Sequence, residues 1–167
     1  MKIAYVTSQR RGETDRLLSE IAETLQAAGL RLAGIVKDLS YTSRHANGCD
    51  MRVRVLSEGS VIKITQDLGE GSGACRLDPA AIAEAISRVE ADPMEGASLF
   101  ILNKFGPEES AGRGFCPLIA SALERGIPVL VGVGSASEAA FSNFSGGMAK
   151  SLPDNLEDIH HWCAAVM

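Results

Sequence analysis

The chain has 167 residues, of which 46% are hydrophobic and 22% charged, and its formal net charge is −5 at neutral pH. This length suits one domain built around a single sheet, and the composition is that of a globular protein rather than a disordered chain. Nucleic-acid surfaces need clustered lysine and arginine to neutralise phosphates, so an acidic chain predicts no nucleic-acid partner.

The beginning of the chain leads straight into a strand pattern and lacks the charged and apolar regions of a signal peptide. No apolar run in the sequence approaches the roughly 20 residues that a membrane helix needs. We therefore expect no membrane insertion and a cytoplasmic location.

The first third of the chain alternates strand and helix patterns. Residues 2–7 form an apolar strand pattern, and the apolar stripe of about 13–28 predicts a helix that ends at Gly29. A second strand follows at 30–36. This order of elements forms a right-handed βαβ unit, so the sequence predicts a parallel sheet.

The middle of the chain predicts a β-hairpin. Residues 51–56 alternate apolar and basic side chains, and residues 61–65 follow across a short polar turn. We interpret the segment of about 50–66 as a hairpin insertion with one face in solvent. Asp78 and Pro79 are then typical of the N-cap and first position of a helix.

Two apolar runs in the second half, 99–102 and 127–133, have the length and composition of buried parallel strands. A helical pattern at 115–123 separates them. The predicted fold class is α/β, a three-layer α/β/α arrangement around a mostly parallel sheet in one domain over 1–167.

Two capping boxes predict further helices near the end of the chain. Ser135 with Glu138 would begin a short helix, and Asp154 with Glu157 would begin the final one.

The turn after the first strand has the outline of a phosphate-binding P-loop. In the pattern G-x-x-x-x-G-K-[ST], backbone N–H groups and a helix N-terminus face an anion. Thr7 stands at the first glycine, Gly12 matches the second, Glu13 replaces the lysine and Thr14 matches the hydroxyl position. The turn keeps the layout of an anion cradle but reverses the charge at the lysine position.

The acid that holds magnesium in P-loop enzymes also has no counterpart in its usual place. That carboxylate follows a buried strand, and here Asn103 and Lys104 occupy the position. Glu108 and Glu109, just beyond, could bind a metal or activate water, or could simply favour a helix start.

Ligands of open α/β sheets bind beyond the carboxyl ends of the parallel strands. The segments 7–14, 103–114 and 132–137 should meet there, bringing together cations and hydroxyls that suit an oxyanion. No catalytic residue is predicted. The predicted anion- or nucleotide-binding residues are Ser8, Arg10, Arg11, Gly12, Thr14, Lys104 and Arg113.

The cysteines offer a different interpretation. Cys49 and Cys75 flank the outer ends of the predicted hairpin, and with His45 they could bind a soft metal or take part in redox chemistry. No C-x-x-C pair is present. Cys116 and Cys163 lie in apolar helical patterns and are predicted to be core thiols.

The chain resembles a family of small bacterial proteins known only as a domain of unknown function, often encoded near molybdate-uptake genes and distantly similar to P-loop nucleoside-triphosphatases. The resemblance covers nearly the whole chain and implies a single P-loop NTPase-like domain over 1–167. It rests on Cys49-Asp50-Met51, residues 64–69 with Gly73, residues 75–79, residues 102–106, Glu109, residues 112–115 and residues 126–130.

The resemblance implies a link to molybdenum or tungsten, whose oxyanions are tetrahedral dianions that a helix N-terminus, hydroxyls and arginines suit. Our leading hypothesis is a non-hydrolysing P-loop-like protein that binds molybdate, tungstate, phosphate or a nucleotide. A divergent nucleoside-triphosphatase is the first alternative, with Arg11 or Lys104 replacing the lysine and Glu108 or Glu109 the acid. A cysteine-based metal or redox module is the second. The oligomeric state stays open, a homo-oligomer being one option.

Overall fold

A computed structural model describes residues 2–41, 51–66, 77–92 and 94–167 of the protein. The described residues form one mixed sheet whose strands are β1 (Ile3–Val6), β2 (Leu32–Lys37), β3 (Arg52–Val55), β4 (Val61–Lys63), β5 (Leu99–Phe105), β6 (Val129–Val133) and β7 (Lys150–Leu152). The helices are α1 (Glu13–Ala27), α2 (Pro79–Ala91), α3 (Pro107–Ser110), α4 (Cys116–Glu124), α5 (Glu138–Phe144) and α6 (Leu156–Val166), with a 3-10 turn at Ser135–Ser137.

The strand order is β4-β3-β2-β5-β6-β1-β7. Five neighbouring strands, from β2 to β7 in this order, run parallel. The predicted hairpin is confirmed, and its two strands continue the same sheet as an antiparallel edge beside β2. The sheet is therefore mostly parallel, as the sequence predicts.

Apolar side chains on the two faces of the sheet pack against different helices. Ala4 and Val6 face α1 and α6, where Leu18 and Trp162 belong to the same buried cluster. Ile3, the alternate residue of β1, belongs to the cluster that includes residues of α2, α4 and α5. Since side chains alternate along a strand, each face of the sheet is covered by its own set of helices. The predicted α/β/α layering is confirmed.

Both predicted capping boxes are wrong. Asn155 is the N-cap of α6, and its Oδ1 accepts the N–H of Asp158 at 2.9 Å. Asp154, one residue earlier, is held by a distant partner instead. Ser135 lies in a 3-10 turn, and no side chain caps α5. At α6 the cap is shifted by one residue because Asp154 binds the distant Ser8, and at α5 the 3-10 turn precedes the helix.

One strand is longer than the sequence predicts, and another was not predicted. β5 continues through the polar pair Asn103 and Lys104 to Phe105, and the buried amide of Asn103 has a hydrogen-bond partner at both its nitrogen and its oxygen. The edge strand β7 was not predicted, since only Leu152 of its three residues is buried. Asp78, by contrast, caps α2 as predicted and accepts the N–H of Ala80 at 3.0 Å.

In the described ranges, none of the helices has both the length and the apolar character that crossing a membrane requires.

Candidate functional site: a polar cleft at the carboxyl edge of the sheet

A cleft of about 200 Å³ lies at the carboxyl ends of β1, β5 and β6. Gly132 lines the cleft at the point where β6 lies close to β5 and α1. A Cβ on Gly132 would lie 2.1 Å from the carbonyl oxygen of Asn103. The turns after the three strands thus meet, as the sheet topology predicts. The residues lining the cleft are Ser8, Gln9, Arg10, Arg11, Gly12, Thr14, Asp15, Asn103, Lys104, Gly132, Val133 and Gly134.

The turn after β1 enters α1 through a left-handed glycine. Gly12 has φ of +77° and is the N-cap of the helix, a conformation that glycine adopts without strain. The N–H of Glu13 donates to the carbonyl of Arg10 at 3.1 Å. The N–H groups of Thr14 and Asp15 have no acceptor among the described residues. They are donors at the positive end of the helix, beside the cleft.

Glu13, at the position of the P-loop lysine, is paired with two arginines. Its Oε1 lies 2.7 Å from Arg16 Nη2 and 3.1 Å from Arg10 Nη2. The hydrogen bond from Arg16, with the charge of Arg10, lowers the pKa of this carboxyl. The negative charge is therefore compensated within the turn and opposes a bound anion less than a free carboxylate would.

Ser8 and Arg10 contact an acid that the sequence analysis assigned to a helix cap. Ser8 Oγ donates to Asp154 Oδ2 at 2.7 Å, and Arg10 Nη2 lies 3.5 Å from the same oxygen. The Ser8 hydrogen bond, followed by Arg10, lowers the pKa of Asp154. Sequence spacing could not identify this contact, because 146 residues separate Ser8 from Asp154.

Asn103 and Asp15 form one side of the cleft. Asn103 Nδ2 donates to Asp15 Oδ1 at 3.0 Å, and Lys37 Nζ lies 3.0 Å from Asp15 Oδ2. Neither Asp15 nor Lys37 was among the predicted site residues. The available signal was that Asp15 follows Thr14 directly in the P-loop pattern.

The structure separates the two cations predicted after β5. Lys104 is exposed and lines the cleft. Arg113 is not among the described residues that line it, and its Nε donates to Glu108 Oε2 at 2.8 Å. That hydrogen bond and the charge of Arg113 lower the pKa of Glu108. Six of the seven predicted residues line the cleft: Ser8, Arg10, Arg11, Gly12, Thr14 and Lys104.

Glu109 is a buried structural acid. It is 7% exposed, and its two oxygens accept the N–H groups of Gly106 at 2.9 Å and Phe115 at 3.0 Å. Both oxygens hold this turn together, and Glu109 is not among the described residues that line the cleft, so it does not stand where the metal-binding acid of a P-loop enzyme would.

The predicted cysteine site lies outside the described residues, because Cys49, Cys75 and His45 all fall in ranges that the structure does not describe. In the part of the chain that is described, no three histidine, cysteine or acidic residues group to hold a metal. Cys116 and Cys163 are buried free thiols, as predicted. Burial raises the pKa of Cys116 to about 11 and that of Cys163 to about 12.

Two solved structures share this fold. THEP1 from the hyperthermophile Aquifex aeolicus superposes with a TM-score of 0.64 at 15% identity, over 100% of this chain and 97% of that chain. A human cancer-related nucleoside triphosphatase superposes with a TM-score of 0.62 at 12% identity, over 99% of this chain and 95% of that chain. The chain therefore has the α/β fold of P-loop nucleoside-triphosphatases.

In sequence, the chain is 33% identical over 163 residues to the molybdenum import ATP-binding protein ModC 2 of Bradyrhizobium diazoefficiens. The match covers 96% of this chain and 18% of that protein, so the chain spans less than a fifth of its relative's length. Residues 3–162 match a family described as "Protein of unknown function (DUF2478)". The chain belongs to this family, as the resemblance in its sequence motifs predicts.

Proposed function

We propose that the protein binds a nucleotide or a tetrahedral oxyanion, such as molybdate, tungstate or phosphate, in the cleft at the carboxyl edge of the sheet and does not hydrolyse it. The observation that carries this proposal is the turn at Gly12, where the N–H groups of Thr14 and Asp15 have no acceptor among the described residues and Glu13 is paired with arginines. Helix N-termini of this kind bind phosphate groups in many folds.

The charge distribution around the cleft supports anion binding. Among the described residues that line the cleft, Arg10, Arg11 and Lys104 are the cations and Asp15 is the acid. That acid is paired with Lys37. In our proposal the N–H groups of Thr14 and Asp15 and the Thr14 hydroxyl bind the oxygens of the anion, while the three cations neutralise it.

Two replacements argue against hydrolysis. Phosphoryl transfer needs a cation at the Glu13 position and a metal-holding acid at the Asn103 position. Glu13 is engaged by Arg16 and Arg10, and Asn103 by Asp15. The cleft can therefore bind an anion through its N–H donors and cations. The groups that would stabilise a transferring phosphoryl are absent from these two positions.

Molybdate and tungstate are included because of the relative's name. ModC 2 is a molybdenum import ATP-binding protein, and the family resemblance implies the same metabolic setting. We propose for this chain a binding role in molybdenum metabolism.

Calorimetric titration with molybdate, tungstate, phosphate and ATP tests the proposal. We expect at least one of the four to bind, and Lys104→Ala to weaken that binding about tenfold or more, since a hydrogen bond to a charged group contributes about 1.5 to 3 kcal/mol. Arg113→Ala is the matched control and should leave affinity unchanged, because Arg113 pairs with Glu108. Absence of heat from all four ligands with folded protein contradicts the proposal.

A divergent nucleoside-triphosphatase is the second candidate, and the position of Lys104 in the cleft favours it. This candidate predicts magnesium-dependent phosphate release from ATP that disappears in Lys104→Ala. Release that this substitution leaves unchanged would come from a contaminant. The cysteine-based candidate is tested separately by metal analysis and thiol titration, where our proposal predicts free thiols and no stoichiometric soft metal.

A further inference from the structure

Magnesium is the cation that P-loop proteins hold beside bound phosphate, through a P-loop hydroxyl and a carboxylate on a neighbouring strand. In this chain Thr14 offers the hydroxyl, and the second position is Asn103, which is 3% exposed. Asn103 Nδ2 donates to Asp15 Oδ1 at 3.0 Å, and Asn103 Oδ1 accepts the N–H of Lys37 at 3.0 Å. A backbone N–H only donates and an ionised carboxylate only accepts. These partners fix the amide, and its one oxygen is already bonded.

Asp15 is the acidic residue among the described residues that line the cleft, and a cation already contacts it. Lys37 Nζ lies 3.0 Å from Asp15 Oδ2, and the two side chains are 30% and 20% exposed. The Lys37 backbone is held on both sides, since its N–H donates to Asn103 and its carbonyl accepts Ser19 Oγ at 2.8 Å. The Lys37 backbone is therefore fixed at the end of β2, next to β5, and its side chain reaches Asp15 from there.

This donor set does not fit magnesium. Mg²⁺ requires near-octahedral oxygen ligands at about 2.0 to 2.1 Å and gives up its water reluctantly. To reach Asp15 it would have to displace the Lys37 ammonium, and it would then meet the Asn103 amide group that donates to the same carboxylate. The Lys37 ammonium and the Asn103 amide both oppose a divalent cation. Together with Asp15 they form a hydrogen-bonded group in which the carboxylate charge is already balanced.

We infer that Lys37 is the built-in cation of this cleft and that the protein binds its anion without a divalent metal. Lys37 neutralises Asp15, Asn103 holds that carboxylate in place, and the helix N–H donors stay available to the ligand. The part of this inference that concerns the anion rests on the proposed function. Its physical core is that the Asp15 carboxylate excludes metal, and this can be measured without any anion.

Titration of the protein with Mn²⁺ alone, followed by electron paramagnetic resonance, tests the exclusion. Asp15→Asn is the control that separates the cleft from any other site. We expect the wild type and Asp15→Asn to give the same Mn²⁺ binding curve. A wild-type Mn²⁺ site that Asp15→Asn abolishes would overturn the inference.

A gain-of-site variant sharpens the test. In Asn103→Asp/Lys37→Met the ammonium is removed and a second carboxylate faces Asp15, so we expect one additional Mn²⁺ per chain. A folded double variant that gains no Mn²⁺ contradicts the role assigned to Asn103 and Lys37. If the double variant does not fold, the comparison of wild type with Asp15→Asn still decides the question.

Phosphate titrated in EDTA and in Mg²⁺ completes the experiment. We expect the same dissociation constant in both buffers, and phosphate binding that requires Mg²⁺ overturns the inference. If phosphate, molybdate, tungstate and ATP all fail to bind in either buffer, the proposed function fails, while the Mn²⁺ result still stands on its own.

Discussion

The turns after β1 and β5 each lead from a parallel strand into a helix, but their acids are held differently. The first turn enters α1 through the left-handed Gly12, whereas the second enters α3 through Gly106, whose backbone is extended, and the left-handed Gly112 follows that helix. In the first turn, Glu13 is bound by arginine side chains, and the N–H groups of Thr14 and Asp15 have no acceptor among the described residues. In the second, Glu109 accepts backbone N–H groups itself. Whether such a turn can bind a ligand depends on what satisfies its acids.

In the turn after β5, the Glu109 carboxylate thus occupies the N–H donors that a bound anion would use. A carboxylate that accepts two backbone N–H groups is held by the same kind of contact that a helix N-terminus offers to phosphate. Gly114 makes room for it, since a Cβ there would lie 2.1 Å from Glu109 Oε1. The first turn is the one left open, and the predictions below test this difference in order of expected effect.

Glu109→Ala should have the largest effect on stability. It leaves the N–H groups of Gly106 and Phe115 without their acceptor, and each unsatisfied buried group costs about 1 to 3 kcal/mol, so we expect a loss of about 2 to 4 kcal/mol. Urea denaturation measures this. Glu108→Ala, which removes an exposed partner of Arg113, should be far milder. Equal losses in the two variants would remove the contrast between the turns.

Gly132→Ala tests whether the strand between the two turns must stay close to both. A Cβ would lie 2.1 Å from the Asn103 carbonyl oxygen and 3.0 Å from Thr14 Cγ2. Overpacking of this kind typically costs about 1 to 3 kcal/mol. Gly134→Ala is the control, because nothing lies within 4 Å of its added Cβ. Thermal unfolding should separate the two variants, and a neutral Gly132→Ala would contradict the close approach.

Gly12→Ala and Gly112→Ala compare a left-handed glycine at the start of α1 with one that follows α3. Both glycines have positive φ, +77° and +75°, and neither added Cβ meets an atom within 4 Å. Each substitution should therefore cost the same strain, about 1 to 2 kcal/mol. The affinity for phosphate or ATP should fall only in Gly12→Ala. An equal fall in both variants would mean that affinity follows stability rather than the geometry of the first turn.

Asp154→Asn should have the smallest effect on stability and should raise anion affinity. Asp154 accepts from Ser8 and lies near Arg10, so it competes with a ligand for both. Calorimetry should detect tighter binding than in the wild type. Unchanged or weaker binding would show that Asp154 positions these groups rather than competing for them.

The same variant carries a pH signature. The folded pKa of Asp154 lies below its ordinary value of 3.8, so its contribution to stability is present above that value and is lost as pH falls through the lowered pKa. Acid unfolding of Asp154→Asn should lack this component. The difference between variant and wild type should therefore shrink as pH falls below about 3.8.

Much of the architecture follows from local sequence signals. The apolar stripe of α1, the hairpin of β3 and β4, and the Asp78 cap of α2 each depend on residues a few positions apart, and each appears as predicted. The P-loop outline is also local, because eight consecutive residues place Gly12 before a helix. The capping box predicted at Asp154 was wrong because local spacing cannot show a distant partner. Asp154 binds Ser8, and Asn155 caps the helix one residue later.

The residues of the site divide in the same way. The sequence by itself determined that a turn with Gly12 and Thr14 would face the carboxyl edge of a parallel sheet with cations nearby, because the alternation of strand and helix patterns along the chain sets parallel strands and the polarity of the first helix. Only the tertiary structure decided that Asn103 would bind Asp15, 88 residues away, that Lys37 would supply its cation, and that Arg113 would stay with Glu108. Side-chain hydrogen bonds and ion pairs act over about 3 Å, so their partners are chosen by the packing of the sheet and not by spacing along the chain.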